Sequence, residues 1–170
     1  MDSKNHKIKA GFTLIEIITV LFVISLGLVG ILTLIVQNIQ SQDYNKDNLI
    51  ATQLAQEGIE LVRRVRDNNW KALPARDFDY NLAAGNYYLD YRDLAPRLYN
   101  LDPAELILKQ DDNGFYFHDA ASAATSSNFS RLITLEKTSA DSLLIRSRVT
   151  WGSHNRNYAY DLETILYDWY

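Results

Sequence analysis

Gly11-Phe12-Thr13-Leu14-Ile15-Glu16 opens onto Ile17-Ile18-Thr19-Val20-Leu21-Phe22-Val23-Ile24-Ser25-Leu26-Gly27-Leu28-Val29-Gly30-Ile31-Leu32-Thr33-Leu34-Ile35-Val36, and this stretch decides the fold. As a helix rising ~1.5 Å per residue, Ile17 to Val36 spans about 30 Å, the thickness of a bilayer's hydrocarbon core. Its polar exceptions, Thr19, Ser25 and Thr33, carry hydroxyls that can bond back to the preceding turn. Gly27 and Gly30 lower helix propensity locally, but at three-residue spacing they do not form the four-spaced small-residue pair of dimerising helices. No proline interrupts the chain before Pro74.

The flanks orient the segment. Lys4, Lys7 and Lys9 precede it, and no basic cluster follows until Arg63. The positive-inside bias keeps the N-terminus cytoplasmic and sends the rest of the chain across. A secretory signal peptide has a shorter apolar core and a small-residue cleavage site, whereas Val36 runs straight into Gln37-Asn38-Ile39-Gln40. A plain single-pass anchor fits the length and charge but gains nothing from Glu16. A carboxylate in the first turn is favoured by the helix dipole and can reach toward water. Flanked by Leu14, Ile15, Ile17 and Ile18, it is nonetheless a functional candidate by default. It needs a cation, and no lysine or arginine lies between Lys9 and Lys46.

Gly11-Phe12-Thr13-Leu14-Ile15-Glu16, with its short basic leader and apolar run, resembles the prepilin signal of type IV pilins and type II secretion pseudopilins. The resemblance implies cleavage between Gly11 and Phe12 by a prepilin peptidase, N-methylation of Phe12, and assembly with other pilin subunits. It implies that Glu16 pairs with the amino terminus of a neighbouring subunit during filament assembly; on a helix, four-residue spacing would equally let a free Phe12 amine reach its own Glu16. Many pilins carry a proline in the apolar run; its absence here would leave any loosening to Gly27 and Gly30.

Composition bounds the remainder. The chain has 170 residues, 17 basic and 21 acidic side chains, and no cysteine. The first eleven residues hold three lysines against one aspartate, which leaves 14 basic and 20 acidic side chains from Phe12 onward, a formal −6. That balance argues against nucleic acid as a partner. The absence of cysteine excludes disulfides, thiolate metal sites and cysteine nucleophiles.

After Val36 the pattern becomes one-sided. Ile39, Ile50, Leu54, Gly58, Leu61, Val62 and Val65 recur mostly at three- and four-residue spacing between charged residues, which predicts a continuing amphipathic helix. A single helix from Phe12 to about Trp70 would be about 88 Å long. Its apolar stripe must pack on a domain, with Gly58 allowing a strand close approach. Arg63, Arg64 and Arg66 are read as helix-surface charges, pairing Glu60 with Arg64 and Arg63 with Asp67 at four-residue spacing, rather than as a DNA-binding patch. The segment Leu49 to Glu60, continuing through Arg66-Asp67-Asn68-Asn69-Trp70, resembles the PilV or pilus-modification group of minor pilins.

From Pro74 the chain reads as short strands and turns: Tyr87 to Tyr91, a hairpin of Leu106–Lys109 and Phe115–His118 about Asp111-Asp112-Asn113-Gly114, and a loop from Asp119 to Asn128. A strand from Arg131 to Lys137 faces Ile133 and Leu135 inward, and the next presents Leu143, Ile145, Val149 and Trp151. Gly152 to Asn157 turns into a last strand, Tyr158 to Trp169. The Asp111 turn lacks the spaced oxygen ligands of a calcium loop. His118 and His154 lack metal-ligand spacing with another residue, and no nucleophile elbow or phosphate loop occurs, so no metal, cofactor or catalytic residue is expected. The tyrosines are read as buried with the hydroxyl at the rim.

The expected fold is α+β and pilin-like, with a long N-terminal helix packed on an antiparallel β-sheet. Its divisions are a basic leader (1–11), a transmembrane and filament-core helix (12–36), an amphipathic continuation (37–72) and an extracytoplasmic β-rich head (73–170). The expected function is a non-enzymatic minor pilin or pseudopilin, a structural subunit of a type IV pilus (fimbrium) or type II secretion-like filament. It would wait as a single-pass protein in the inner or cytoplasmic membrane and then enter a surface or periplasmic filament. Two rivals stand beside it: a tip subunit for cell adhesion or DNA uptake, and a simple anchored domain with no filament role.

Overall fold

A computed structural model describes residues 11–74, 76–118, 125–153 and 155–169. The expected leader structure, most of the Asp119–Asn128 loop and His154 lie outside the described residues. One helix, α1 (Leu14–Lys71), is followed by seven strands: β1 (Gly85–Tyr88), β2 (Arg97–Leu98), β3 (Ile107–Gln110), β4 (Tyr116–Phe117), β5 (Thr125–Ser139), β6 (Ser142–Ser153) and β7 (Arg156–Tyr167). A short 3-10 turn, Pro103–Leu106, precedes β3. The chain divides into two compact units, one reaching to Asp43 and the other spanning Tyr44–Tyr170.

In the first unit α1 is unbroken through Gly27 and Gly30. The three hydroxyls in the apolar run do bond backward: Thr19 to the Ile15 carbonyl at 2.9 Å, Ser25 to Leu21 at 2.7 Å and Thr33 to Val29 at 2.9 Å. Each polar group is thereby satisfied without water, as an apolar surrounding requires.

In the second unit the helix buries Leu54, Gly58, Leu61, Val62 and Val65, as its periodicity predicts, together with Ala51, Ala55, Ile59, Asn69 and Arg66, the last expected at the surface; Ile50 is half-buried. Ile39 lies in the first unit and is exposed, so the buried stripe starts twelve residues later than the pattern alone suggests. The helix ends before Pro74, which disfavours helical geometry in the residue it follows. The Asn69 amide then holds the departing chain, donating to the carbonyls of Phe78 (3.2 Å) and Tyr80 (2.8 Å).

The sheet is antiparallel throughout. β5 is its spine. One edge of β5 pairs with β6 from Phe129↔Trp151 to Ser139↔Ser142; the other is shared by β3, against Thr125 to Ser130, and β1, against Ile133 to Leu135. β2 extends β1, β4 extends β3, and β7 extends β6. Period-two alternation puts Phe129, Arg131, Ile133 and Leu135 of β5, and Leu143, Ile145, Ser147, Val149 and Trp151 of β6, toward the helix. β5 begins at Thr125, so Thr125 to Asn128 is strand and not loop. Its pairing with β3 and the Ser127 hydroxyl, donated to the Leu108 carbonyl at 2.6 Å, hold these small polar residues extended.

Gly58 lets the helix and the sheet approach closely. A Cβ there would lie 2.4 Å from Ser147 Oγ and 3.3 Å from Arg131 Cδ. Two apolar clusters flank it, one around Ile59, Val62, Ile133 and Ile145, the other around Leu54, Ala55, Val149 and Trp151. In the Asp111 turn Gly114 alone takes the positive φ, 87°, and the Asp111 carboxylate accepts the backbone N–H groups of Asn113 and Phe115 at 2.9 Å each. The tyrosines divide: Tyr87 is buried, Tyr88, Tyr116, Tyr158 and Tyr160 are half-buried, and Tyr80, Tyr91 and Tyr167 are exposed.

Candidate functional site

Gly11, Phe12 and Thr13 precede the helix and are exposed, and no atom of the described residues lies within 4 Å of the position a Cβ on Gly11 would occupy. Leu14 is the first helical residue because Thr13 caps it. The Glu16 backbone N–H donates to the Thr13 carbonyl at 3.1 Å and to its Oγ1 at 3.3 Å, and Ile17 N–H reaches the same carbonyl at 3.2 Å. Thr13-x-x-Glu16 thus has the residue order of a capping box, with threonine at the N-cap and glutamate at the third helical position. The cap at Thr13 is not among the sequence expectations, although the three-residue spacing from Thr13 to Glu16 is there to be read.

The cap explains why the helix starts here, not why the carboxylate is tolerated. Among the described residues no basic side chain meets it. From Ile17 to Val36 every aliphatic side chain is exposed around the whole circumference, with Ile35 the least so at 49%. Water is a poor solvent for such a surface, and the helix is long and apolar enough to cross a membrane.

The second unit holds a buried polar knot that sequence reasoning did not assemble. Arg131 is wholly buried. Its guanidinium donates to the Leu54 carbonyl on α1 (3.2 Å) and the Leu89 carbonyl after β1 (2.8 Å), and pairs with Glu57 at 3.1 Å. Asp90, also buried, lies 3.8 Å from Arg131 and receives the His118 N–H (3.0 Å) and Arg97 (2.8 Å), while His118 Nδ1 stands 2.6 Å from its other oxygen. Burial pushes the Asp90 carboxyl up, but the hydrogen bonds and charge of His118 and the charge of Arg131 outweigh it and hold it below the ordinary aspartate range. The knot ties helix, β5 and two loops together. The available signal was an arginine on the core face of β5, in phase with Ile133 and Leu135.

The helix arginines pair differently from the expectation. Arg63 bonds Glu60, three residues back, and Asp67 is met by Arg66 at 2.8 Å. Arg66 also lies over the Trp70 ring at 4.6 Å. Arg64 forks onto the carbonyls of Tyr91 (2.6 Å) and Asp93 (2.8 Å). Arg64 and Arg66 are thus engaged in holding the fold. Among the described residues no three His, Asp or Glu side chains are grouped to hold a metal ion.

Compared with known proteins, residues 6–32 match the family model described as the prokaryotic N-terminal methylation motif. No curated protein and no solved structure matches the chain. The matched segment carries a type IV pilin-like prepilin signal, and with the apolar helix it supports anchoring in a membrane.

Proposed function

We propose that the chain is a minor pilin or pseudopilin, a non-enzymatic structural subunit of a type IV pilus or type II secretion-like filament. The observation that carries this reading is the methylation motif at residues 6–32, whose Gly11–Phe12 bond lies in the short non-helical stretch ahead of a membrane-length helix. A peptidase must take its substrate as extended backbone, and a helix would hide that bond.

In this reading residues 1–11 are the leader, 12–36 anchor the subunit and later pack in the filament core, and 37–72 continue the helix into the head, 73–170. Cutting after Gly11 leaves Thr13 in place, so the new N-terminus carries an intact helix cap. It also creates an ammonium group on Phe12 four residues before Glu16. Phe12 precedes the capped helix, so this amine stands near Glu16 in sequence without sharing its helix face, and a neighbouring subunit's amine offers the same chemistry. In an apolar filament core one buried charge without its partner costs several kcal/mol, so the pair sets register more than it adds stability. The resemblance of residues 49–70 to the PilV group favours a minor subunit.

Intact mass of the protein purified from its native host tests the proposal. Loss of residues 1–11 with gain of one methyl group is the expected result. A full-length, unmethylated chain would end the filament-subunit reading in favour of a plain anchor.

A further inference from the structure

β7 closes one side of the sheet: its twelve residues pair with β6, and no described residue pairs with its other edge. Such an edge presents a row of unpaired N–H and C=O groups, which proteins usually guard with charged side chains, proline, a bulge or a short strand. Of these β7 carries only charges: Arg156 at its start, and Asp161 and Glu163, both paired with arginines of β6. Arg156–Tyr167 contains no proline or lysine, and its register with β6 is unbroken from Ser153↔Arg156 to Ser142↔Tyr167. Asn157, Ala159, Asp161, Glu163, Ile165 and Tyr167 alternate along it as exposed residues.

The charges at this edge are ordered. On the sheet face turned away from α1, Arg148 stands across from Asp161 and bonds it through two nitrogens, at 2.7 and 2.9 Å. Arg146 stands across from Glu163, bonded at 2.5 Å, and lies 4.0 Å from Glu136 on β5. The cross-strand rows therefore end in acids at the free edge. Opposite charges across neighbouring strands stabilise the pair and like charges oppose it, so the next strand in each row should be basic. A second copy fails this condition. Two β7 edges paired antiparallel about a two-fold axis normal to the sheet set odd-numbered residues opposite odd-numbered ones. The registers that overlap most of the strand then bring Asp161 against Asp161 or Glu163.

We propose that β7 is a docking edge for an extended segment of a different subunit. That segment carries Lys or Arg at alternate positions where it crosses Asp161 and Glu163, and apolar residues where it passes Ile165 and Tyr167. The backbone ladder supplies affinity, and the acids set register and choice of partner. Only the source of the partner rests on the filament-subunit reading.

The test uses the purified full chain in detergent micelles and amide hydrogen exchange along β7. The probes are a short peptide of alternating threonine and lysine with valines at one end, its glutamate counterpart, and the lysine peptide with alternate backbone amides methylated. The lysine peptide should slow exchange from Ala159 to Ile165 by about tenfold or more, with an effect that weakens as salt rises; the other two should leave it nearly unchanged. Equal protection by all three, no protection by any, or protection confined to other strands would overturn the proposal. Asp161→Asn with Glu163→Gln alters only exposed side chains and should erase the preference for lysine over glutamate; a preference that survives would refute the charge assignment. The processed mass is independent of these measurements, so a normally processed chain with an inert β7 sinks the docking edge alone.

Discussion

Replacing Gly58 with alanine sets two effects of known size against each other. In a helix interior alanine is favoured over glycine by about 1 kcal/mol. Here the added methyl would sit 2.4 Å from Ser147 Oγ and 3.3 Å from both Ser147 Cβ and Arg131 Cδ, all in fully buried side chains. Reaching ordinary contact with the hydroxyl requires about 1 Å of movement, by parting helix and strand or turning the Ser147 side chain, and such overpacking costs about 1–3 kcal/mol. The net expectation is a loss of up to about 2 kcal/mol. Ser147→Ala removes the offending oxygen, which is buried and has no hydrogen-bond partner. That change alone should be neutral or stabilising, because a desolvated hydroxyl is exchanged for an apolar group. In the Ser147→Ala background Gly58→Ala should cost little or become favourable, giving a coupling of about 1–2 kcal/mol between the sites. Denaturant unfolding of the four proteins in micelles, followed by tryptophan fluorescence, measures it. Coupling below about 0.5 kcal/mol, the limit for independent sites, would refute the close-approach account.

Glu16→Gln keeps the backbone cap and removes the charge, so processing between Gly11 and Phe12 should persist while filament incorporation falls; quantifying the subunit in sheared filaments decides it. Asp90→Asn removes the carboxylate shared by His118 and Arg97 but leaves Arg97 its pair with Asp93 and Arg131 its pair with Glu57, so it should cost about 1–3 kcal/mol near neutral pH. Because the folded-state Asp90 carboxyl titrates below its unfolded value, its contribution is fully present above about pH 4 and is lost as pH falls through the lower folded value. The gap between wild type and Asp90→Asn should accordingly narrow below that pH, and a constant gap down to pH 2 would be contrary to the expectation. Arg64→Lys loses the planar fork that holds two carbonyls, so amide exchange should quicken around Tyr91 to Asp93 with little change in global stability.

The fold was legible where the signal is local. The uninterrupted apolar run, the three- and four-residue spacing from Leu54 to Val65, the alternation in β6 and the Asp111–Gly114 turn each state a structure within a few residues. What escaped notice depends on residues far apart in the chain. Arg64 finds its partners 27 and 29 residues away, His118 meets Asp90 across 28, and Arg131 reaches Leu54 across 77. Spacing on one helix pointed to Asp67 and Glu60 because only helix neighbours are visible in sequence. Thr125 to Asn128 read as loop because polar composition records propensity, and pairing with β3 overrides propensity. At the N-terminus the chemistry is written contiguously: Gly11, Phe12 and Glu16 lie within six residues, and Thr13, three before Glu16, caps the helix on the same stretch.

The order of the strands has a kinetic consequence. β5, β6 and β7 form a meander of adjacent hairpins and can close quickly, since the separations along the chain are short. The apolar stripe of α1 has no such neighbour: Leu54 and Gly58 meet β5 and β6 only after some seventy intervening residues have been made, so loop closure comes late. The amphipathic half of the helix is therefore among the first parts of this unit to be synthesised and among the last to be covered. During that interval Ala51 to Val65 would present the stickiest surface of the nascent chain, and a change that slows closure of the meander lengthens exposure of a segment it does not contain.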